Sequence, residues 1–143
     1  MKHSLLILMV LLTGCSGGNS KKAMPTGAAT ITFNGFAMGT PLDTLAQQAG
    51  GKPAQQTEDQ LYYTDVTLEG VRWKNVTYDF VGGKLARVTA IQPGRDLADY
   101  RKLYQAFTSQ YGKPTRDIDS LTIWARRDAE LSLQPGNILF SRR

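Results

Sequence analysis

The chain turns back on itself in Val76-Thr77-Tyr78-Asp79-Phe80-Val81-Gly82-Gly83-Lys84-Leu85-Ala86-Arg87-Val88-Thr89-Ala90, and the alignment of the two arms decides the fold. Val76, Tyr78 and Phe80 share one parity, as side chains on one face of a strand do. A two-residue turn would set Tyr78 opposite Arg87 and Val76 opposite Thr89, mixing apolar and polar groups on one face. A three-residue loop, Gly82 to Lys84, sets Val76, Tyr78 and Phe80 opposite Ala90, Val88 and Ala86. The apolar register therefore predicts the longer loop, with a glycine in the left-handed conformation.

Working towards the N-terminus, Tyr62, Thr64, Val66 and Leu68 share a parity in a preceding strand, and Glu69-Gly70 makes the turn between the two. Before the polar loop Pro53 to Gln60 lies a helix entry, Thr40-Pro41-Leu42-Asp43. Thr40 is the expected N-cap, Pro41 the first helical residue and Asp43 the capping-box partner. Leu42, Leu45, Ala46 and Ala49 follow at the spacing of one buried face. Gly50-Gly51 stops this helix and Pro53 prevents its resumption. Ile31-Thr32-Phe33 reads as a short strand ahead of it.

Towards the C-terminus, Asp96 is the expected N-cap of a second helix whose apolar stripe is Leu97, Tyr100, Leu103, Tyr104, Phe107 and Tyr111. Gly112 ends it. Three short alternating strands follow, with Leu121, Ile123 and Ala125, then Leu131 and Leu133, then Ile138 and Phe140 facing inward; Asp128 and Pro135-Gly136-Asn137 mark the turns. The expected class is α+β, two helices on one face of a twisted antiparallel sheet. Gly51-Lys52-Pro53 and Gly112-Lys113-Pro114 each follow a capped helix and precede a meander, so we expect two divergent repeats, about 36–92 and 93–143.

The residues G-T-P-L-D-T-L-A-Q-Q-A-G-G-K-P, Tyr62-Tyr63 and V-T-Y-D-F-V-G-G-K-L-A-R-V resemble a pattern of small periplasmic domains. These are the β-lactamase-inhibitor-protein fold and the small lipoprotein of the outer-membrane β-barrel assembly machine. The resemblance covers residues 39–91 well and the second half loosely. Members of these groups bind proteins and do not catalyse, so the resemblance implies a binding module; a shared fold does not transfer a partner.

At the start of the chain, Lys2 supplies a positive charge, Ser4 to Leu12 an apolar run, and Thr13-Gly14 a small-residue exit before Cys15. This is the layout of an export signal, and the run is well short of the ~20 apolar residues of a membrane span. Leu12-Thr13-Gly14-Cys15 resembles a bacterial lipobox. The resemblance implies cleavage of residues 1–14, with a diacylglycerol and an N-acyl chain on Cys15. Ser16 in place of aspartate implies the outer membrane of a host with two membranes, facing the periplasm. Residues 15–30, with their Gly, Ser, Lys and Pro25, read as a flexible tether, and 31–143 as a single periplasmic domain. With its one cysteine acylated, that domain has no disulfide within the monomer and stands on its core.

His3 leaves with the signal, so the mature chain has neither histidine nor free thiol. That removes the commonest general base and metal ligand and any cysteine nucleophile. Glu58/Asp59, Asp117/Asp119 and Asp128/Glu130 are the carboxylate pairs that a hydrolase would use, but each sits in a turn or polar loop where capping accounts for it. No S-x-x-K occurs, and Gly82-Gly83-Lys84 lacks the following helix of a phosphate loop. The expectation is no enzyme, no metal and no cofactor besides the acyl groups. The net charge of +5 is spread along the chain, and an envelope protein has no route to nucleic acid. Trp73 and Trp124 occupy parities opposite the expected core. With Arg72 and Arg126 they are the candidate partner-binding residues, an aromatic patch among arginines on the open sheet face. The expected function is an anchored, non-catalytic module holding an envelope protein. The alternatives are an inhibitor of a periplasmic or invading hydrolase and, less favoured, a carboxylate-based hydrolase.

Overall fold

A computed structural model describes residues 29–143. The signal segment, Cys15 and all of the tether but Ala29 and Thr30 lie outside the described residues. The elements are β1 (Thr32–Phe33), β2 (Phe36–Ala37), α1 (Leu42–Gln48), β3 (Gln55–Gln56), β4 (Gln60–Leu68), β5 (Val71–Val81), β6 (Lys84–Ile91), α2 (Leu97–Tyr111), β7 (Arg116–Ile118), β8 (Leu121–Ala125), β9 (Ala129–Gln134) and β10 (Asn137–Arg142). β1 and β2 form a small ribbon. The other eight strands make one antiparallel sheet in the order β3-β4-β5-β6-β10-β9-β8-β7. Each helix thus precedes a four-strand meander, and the last strands of the two meanders, β6 and β10, pair along the middle. The α+β class expected from the sequence is present.

Strand register carries two apolar rows across this sheet. Tyr63, Val76, Ala90, Ile138, Leu133 and Thr122 are successive partners in one, and Leu61, Tyr78, Val88, Phe140, Leu131 and Trp124 in the next. All of them are buried. Leu45 of α1 and Leu103, Phe107 and Tyr111 of α2 join the same core. Both helices therefore cover one face and leave the other without a helix.

The central hairpin departs from the expected loop. Val76 does face Ala90 and Tyr78 does face Val88, but Phe80 faces Leu85 and Val81 faces Lys84, with a bulge after the Asp79–Arg87 pair. The turn has two residues, Gly82 and Gly83, both at positive φ (59° and 71°). Two such residues give the turn whose twist matches that of the flanking strands. The extra residue moves into the bulge because Leu85 is the larger apolar side chain: it is fully buried while Ala86 is only partly so.

The parity expected for β4 and β5 also fails midway. Leu61 and Tyr63 point inward at one end of β4, whereas Val66 and Leu68 are the half-buried residues at the other. In β5 the switch falls between Trp73 and Val76. Asp65 has φ 51°, outside strand geometry, and breaks the period-two alternation without changing register. Phe33 and Phe36, partners in the small ribbon, touch Trp73 and Tyr78 respectively, so both tracts serve one core.

At the helices, Asp96 Oδ1 accepts from the backbone N–H of Ala98 at 2.7 Å and of Asp99 at 3.3 Å, as expected of its cap. α1 starts differently. Pro41 is its N-cap, without a side-chain bond, because the Thr40 hydroxyl donates to Ala37 O at 2.8 Å. Leu97, expected in the apolar stripe of α2, is 56% exposed.

Candidate partner-binding face

Of the four residues expected to form a partner surface, both tryptophans lie in the core, fully buried. The Trp73 indole donates to Leu68 O at 3.0 Å and stands edge-on to Phe33. That of Trp124 donates to Gly112 O at 3.0 Å and packs against Phe107 and Tyr104. For Trp73 the alternation of β5 shifts between Trp73 and Val76, opposite the point where Asp65 interrupts β4. For Trp124 the cause is side-chain size, since β8 can bury either Leu121, Ile123 and Ala125 or Thr122 and Trp124. The indole removes more apolar area from water and finds an acceptor for its N–H. Thr122 follows it inward at little cost because Tyr100 and Asp117 both lie within 2.9 Å of its hydroxyl.

The arginines are separated from the tryptophans. Arg72 is exposed and pairs with Asp65 at 3.1 Å. Arg126 is half-buried at the end of α2, donating to Tyr111 O at 2.6 Å and Ala125 O at 3.0 Å. Of the carboxylate pairs, Asp117 and Glu130 lie in strands rather than in the turns expected, Asp117 in β7 and Glu130 in β9, where it pairs with Arg143 at 3.9 Å. Asp59 accepts from the Thr57 hydroxyl at 2.8 Å, and Asp117 accepts from Tyr104 and Thr122. No group of three or more His, Cys, Asp or Glu side chains is placed to hold a metal ion among the described residues.

The helix-free face carries a different set. Its central row is Tyr62, Thr77, Thr89, Leu139, Ser132, Ile123 and Arg116. Ile91 sits diagonally beside Leu139, and Leu121 and Ile118 pair next to Ile123. Leu139 is 39% and Ile91 42% exposed, and Ser132, Gln134 and Asn137 run between this pair and Ile118, Leu121 and Ile123, so the face carries two small aliphatic clusters divided by polar side chains and bordered by threonines and a row of charges. The alternation placing Leu139 outward was legible in β10, where Ile138 and Phe140 point inward. Ile123 was assigned inward only because β8 was read in the wrong parity.

On the helix side, the hydroxyls of Tyr63 and Tyr78 are buried and lack hydrogen-bond partners among the described residues. Burial raises both phenol pKa values, most strongly at Tyr78, where the neighbouring Tyr63 and Glu69 add to the rise. The Asn34 amide lies near enough to Tyr78 to oppose the rise by more than either neighbour adds, though outside hydrogen-bonding geometry. Comparison with known proteins finds no matching family, no matching curated protein and no matching solved structure.

Proposed function

We propose that this chain is a membrane-anchored, non-catalytic lipoprotein that holds another envelope protein on the helix-free face of its sheet. Support for the anchor is the lipobox-like Leu12-Thr13-Gly14-Cys15, with acyl chains on Cys15, the outer membrane as address and the periplasm as the facing compartment. The observation that carries the binding role is the pair of aliphatic clusters, Leu139 with Ile91 and Ile123 with Leu121 and Ile118, on a face that neither helix covers. Apolar side chains gathered on one open face, rimmed by polar ones, are the composition of a protein interface. The resemblance of residues 39–91 to protein-binding periplasmic domains points the same way.

The two halves are, in this reading, products of a duplication. Each helix is followed by Gly-Lys-Pro and a meander. Gly83 O accepts from Leu42 N (3.0 Å) where α1 begins, and Gly136 O accepts from Gln92 N (2.8 Å) on the approach to α2. Equivalent turns thus seat both helix entries.

The test is affinity capture from solubilised envelope with the full-length chain and with Leu139→Glu/Ile91→Glu. Resident envelope proteins recovered by the first and lost by the second support the reading. Unchanged capture by the variant removes the helix-free face from consideration. Stoichiometric loss of a hydrolase's activity on mixing would instead make the protein an inhibitor, and turnover abolished by a carboxylate substitution would make it an enzyme.

A further inference from the structure

The turn joining β8 to β9, the last residue of α2 and the end of β10 meet at one corner of the domain. Arg126 holds Tyr111 O, Arg143 N donates to Asp128 O at 3.1 Å, and Arg142 faces Ala129. Lys113, Arg126, Arg127, Arg142 and Arg143 gather there, against Asp128 and Glu130. The ion pairs within 4.0 Å among the described residues are Arg72–Asp65 and Arg143–Glu130, the latter at 3.9 Å. Lys113, Arg126, Arg127 and Arg142 therefore have no carboxylate at that distance, and all but Arg126 are exposed.

The chain enters the domain beside this corner. The Tyr111 hydroxyl donates to Thr32 O at 2.8 Å and is within 3.1 Å of Thr32 N. From Thr32 the backbone runs to Asn34, whose N–H donates to Glu69 at the opposite end of the sheet. Thr32, near the start of the described domain, therefore lies beside the last residue of α2. The stretch from Cys15 to Thr32 can extend to at most about 60 Å, so chain length alone fixes no orientation of the domain. Unneutralised charge next to the attachment point does.

We infer that the corner formed by Lys113, Arg126, Arg127, Arg142 and Arg143 rests on the anionic phosphate surface of the membrane to which Cys15 is anchored. This rests on the lipoprotein reading above. Each basic side chain near an anionic leaflet raises partition roughly fivefold, an effect lost within a Debye length of about 8 Å. The docked corner sets the sheet edge-on to the membrane and keeps the helix-free face open to the periplasm.

Among the described residues the buried core runs from Ile31 to Phe140, and on the lipoprotein reading residues 1–14 are removed, so the chain from Cys15 onward is the form tested. Purified unacylated, it is mixed with vesicles of neutral phosphatidylcholine or with vesicles containing about a third phosphatidylserine. We expect sedimentation with the anionic vesicles only, weakening as salt rises. Arg127→Glu/Arg142→Glu, side chains that make no hydrogen bond, should lower the partition at least about tenfold. Arg95→Glu/Arg101→Glu, the same charge change at the other end, should lower it less than about threefold. Equal losses from the two variants, or no preference for anionic vesicles, overturn the inference and leave an acidic protein as the candidate for this corner. Lipid labelling of the full-length chain is read separately. Label on Cys15 without anionic preference defeats this inference alone, and absence of label defeats the lipoprotein reading.

Discussion

The ring of Phe107 meets the indole of Trp124 edge-on, with centroids 5.7 Å apart and planes at 75°. This contact ties α2 to β8 and makes the second half's core aromatic. Such a pair contributes about 0.5–1.5 kcal/mol beyond the area it buries. Phe107→Ala and Trp124→Ala should therefore each cost about 3–5 kcal/mol, as should Trp73→Ala. Urea denaturation of the chain from Cys15 measures all three. A loss below about 1 kcal/mol for either tryptophan variant would place that indole outside the core.

Tyr63 and Tyr78 put two buried hydroxyls in the first half with no hydrogen-bond partner among the described residues. Tyr78→Phe removes a group that lost its water on folding and gained nothing in return. It should leave stability unchanged or raise it by up to about 1 kcal/mol. The pH dependence has a definite sign. Above the ordinary phenol value near 10, the unfolded chain releases this proton while the folded chain, with its raised pKa, retains it. Stability from the buried neutral phenol is thus whole below pH 10 and falls as pH rises, by about 1.4 kcal/mol per unit. Alkaline denaturation curves of the wild type and Tyr78→Phe should diverge from pH 10 upward, the variant falling less steeply. Parallel curves would mean that the phenol ionises freely in the fold.

Asp65 breaks the alternation of β4 at φ 51°, a conformation that costs most L residues about 1 kcal/mol or more and glycine almost nothing. Asp65→Gly also removes the exposed pair with Arg72, worth at most about 1 kcal/mol. The two effects nearly cancel, so the midpoint of thermal unfolding should move little. Asp65→Val, unable to take this conformation cheaply, should lower it by several degrees, a loss of about 1–2 kcal/mol. If valine is tolerated as well as glycine, the left-handed residue is not what interrupts β4.

On the helix-free face, Leu139→Glu and Ile91→Glu should each change stability by about 1 kcal/mol or less, since each side chain is partly exposed and can turn its carboxylate to water. Denaturation alongside the capture experiment separates a lost interface from a lost fold. A variant that unfolds would show that the patch supports the domain rather than a partner.

Local rules were enough for the class and for the elements that declare their own ends. The Asp96 cap, the Gly112 stop and the inward residues of β9 and β10 depend on neighbours within a few positions, and each lies where the sequence puts it. The same alternation already marked Leu139 as outward. The reading of residues 1–14 and Cys15 rests on order and composition alone and lies outside the described residues.

What only tertiary structure decided were the positions where two local rules compete. Leu85 against Ala86 is settled by which side chain the core beneath the sheet can bury, and the hairpin takes a bulge to admit the larger. Trp124 against Ile123 is settled by an acceptor at Gly112, twelve residues away in the chain, for an indole N–H that would otherwise be buried unpaired. Trp73 points inward because β5 shifts its alternation between Trp73 and Val76, which no period-two count can register, and there it meets Phe33 of the small ribbon. In each case the deciding energy comes from area and hydrogen bonds contributed by a distant segment, and that segment's position is known only when the chain has folded.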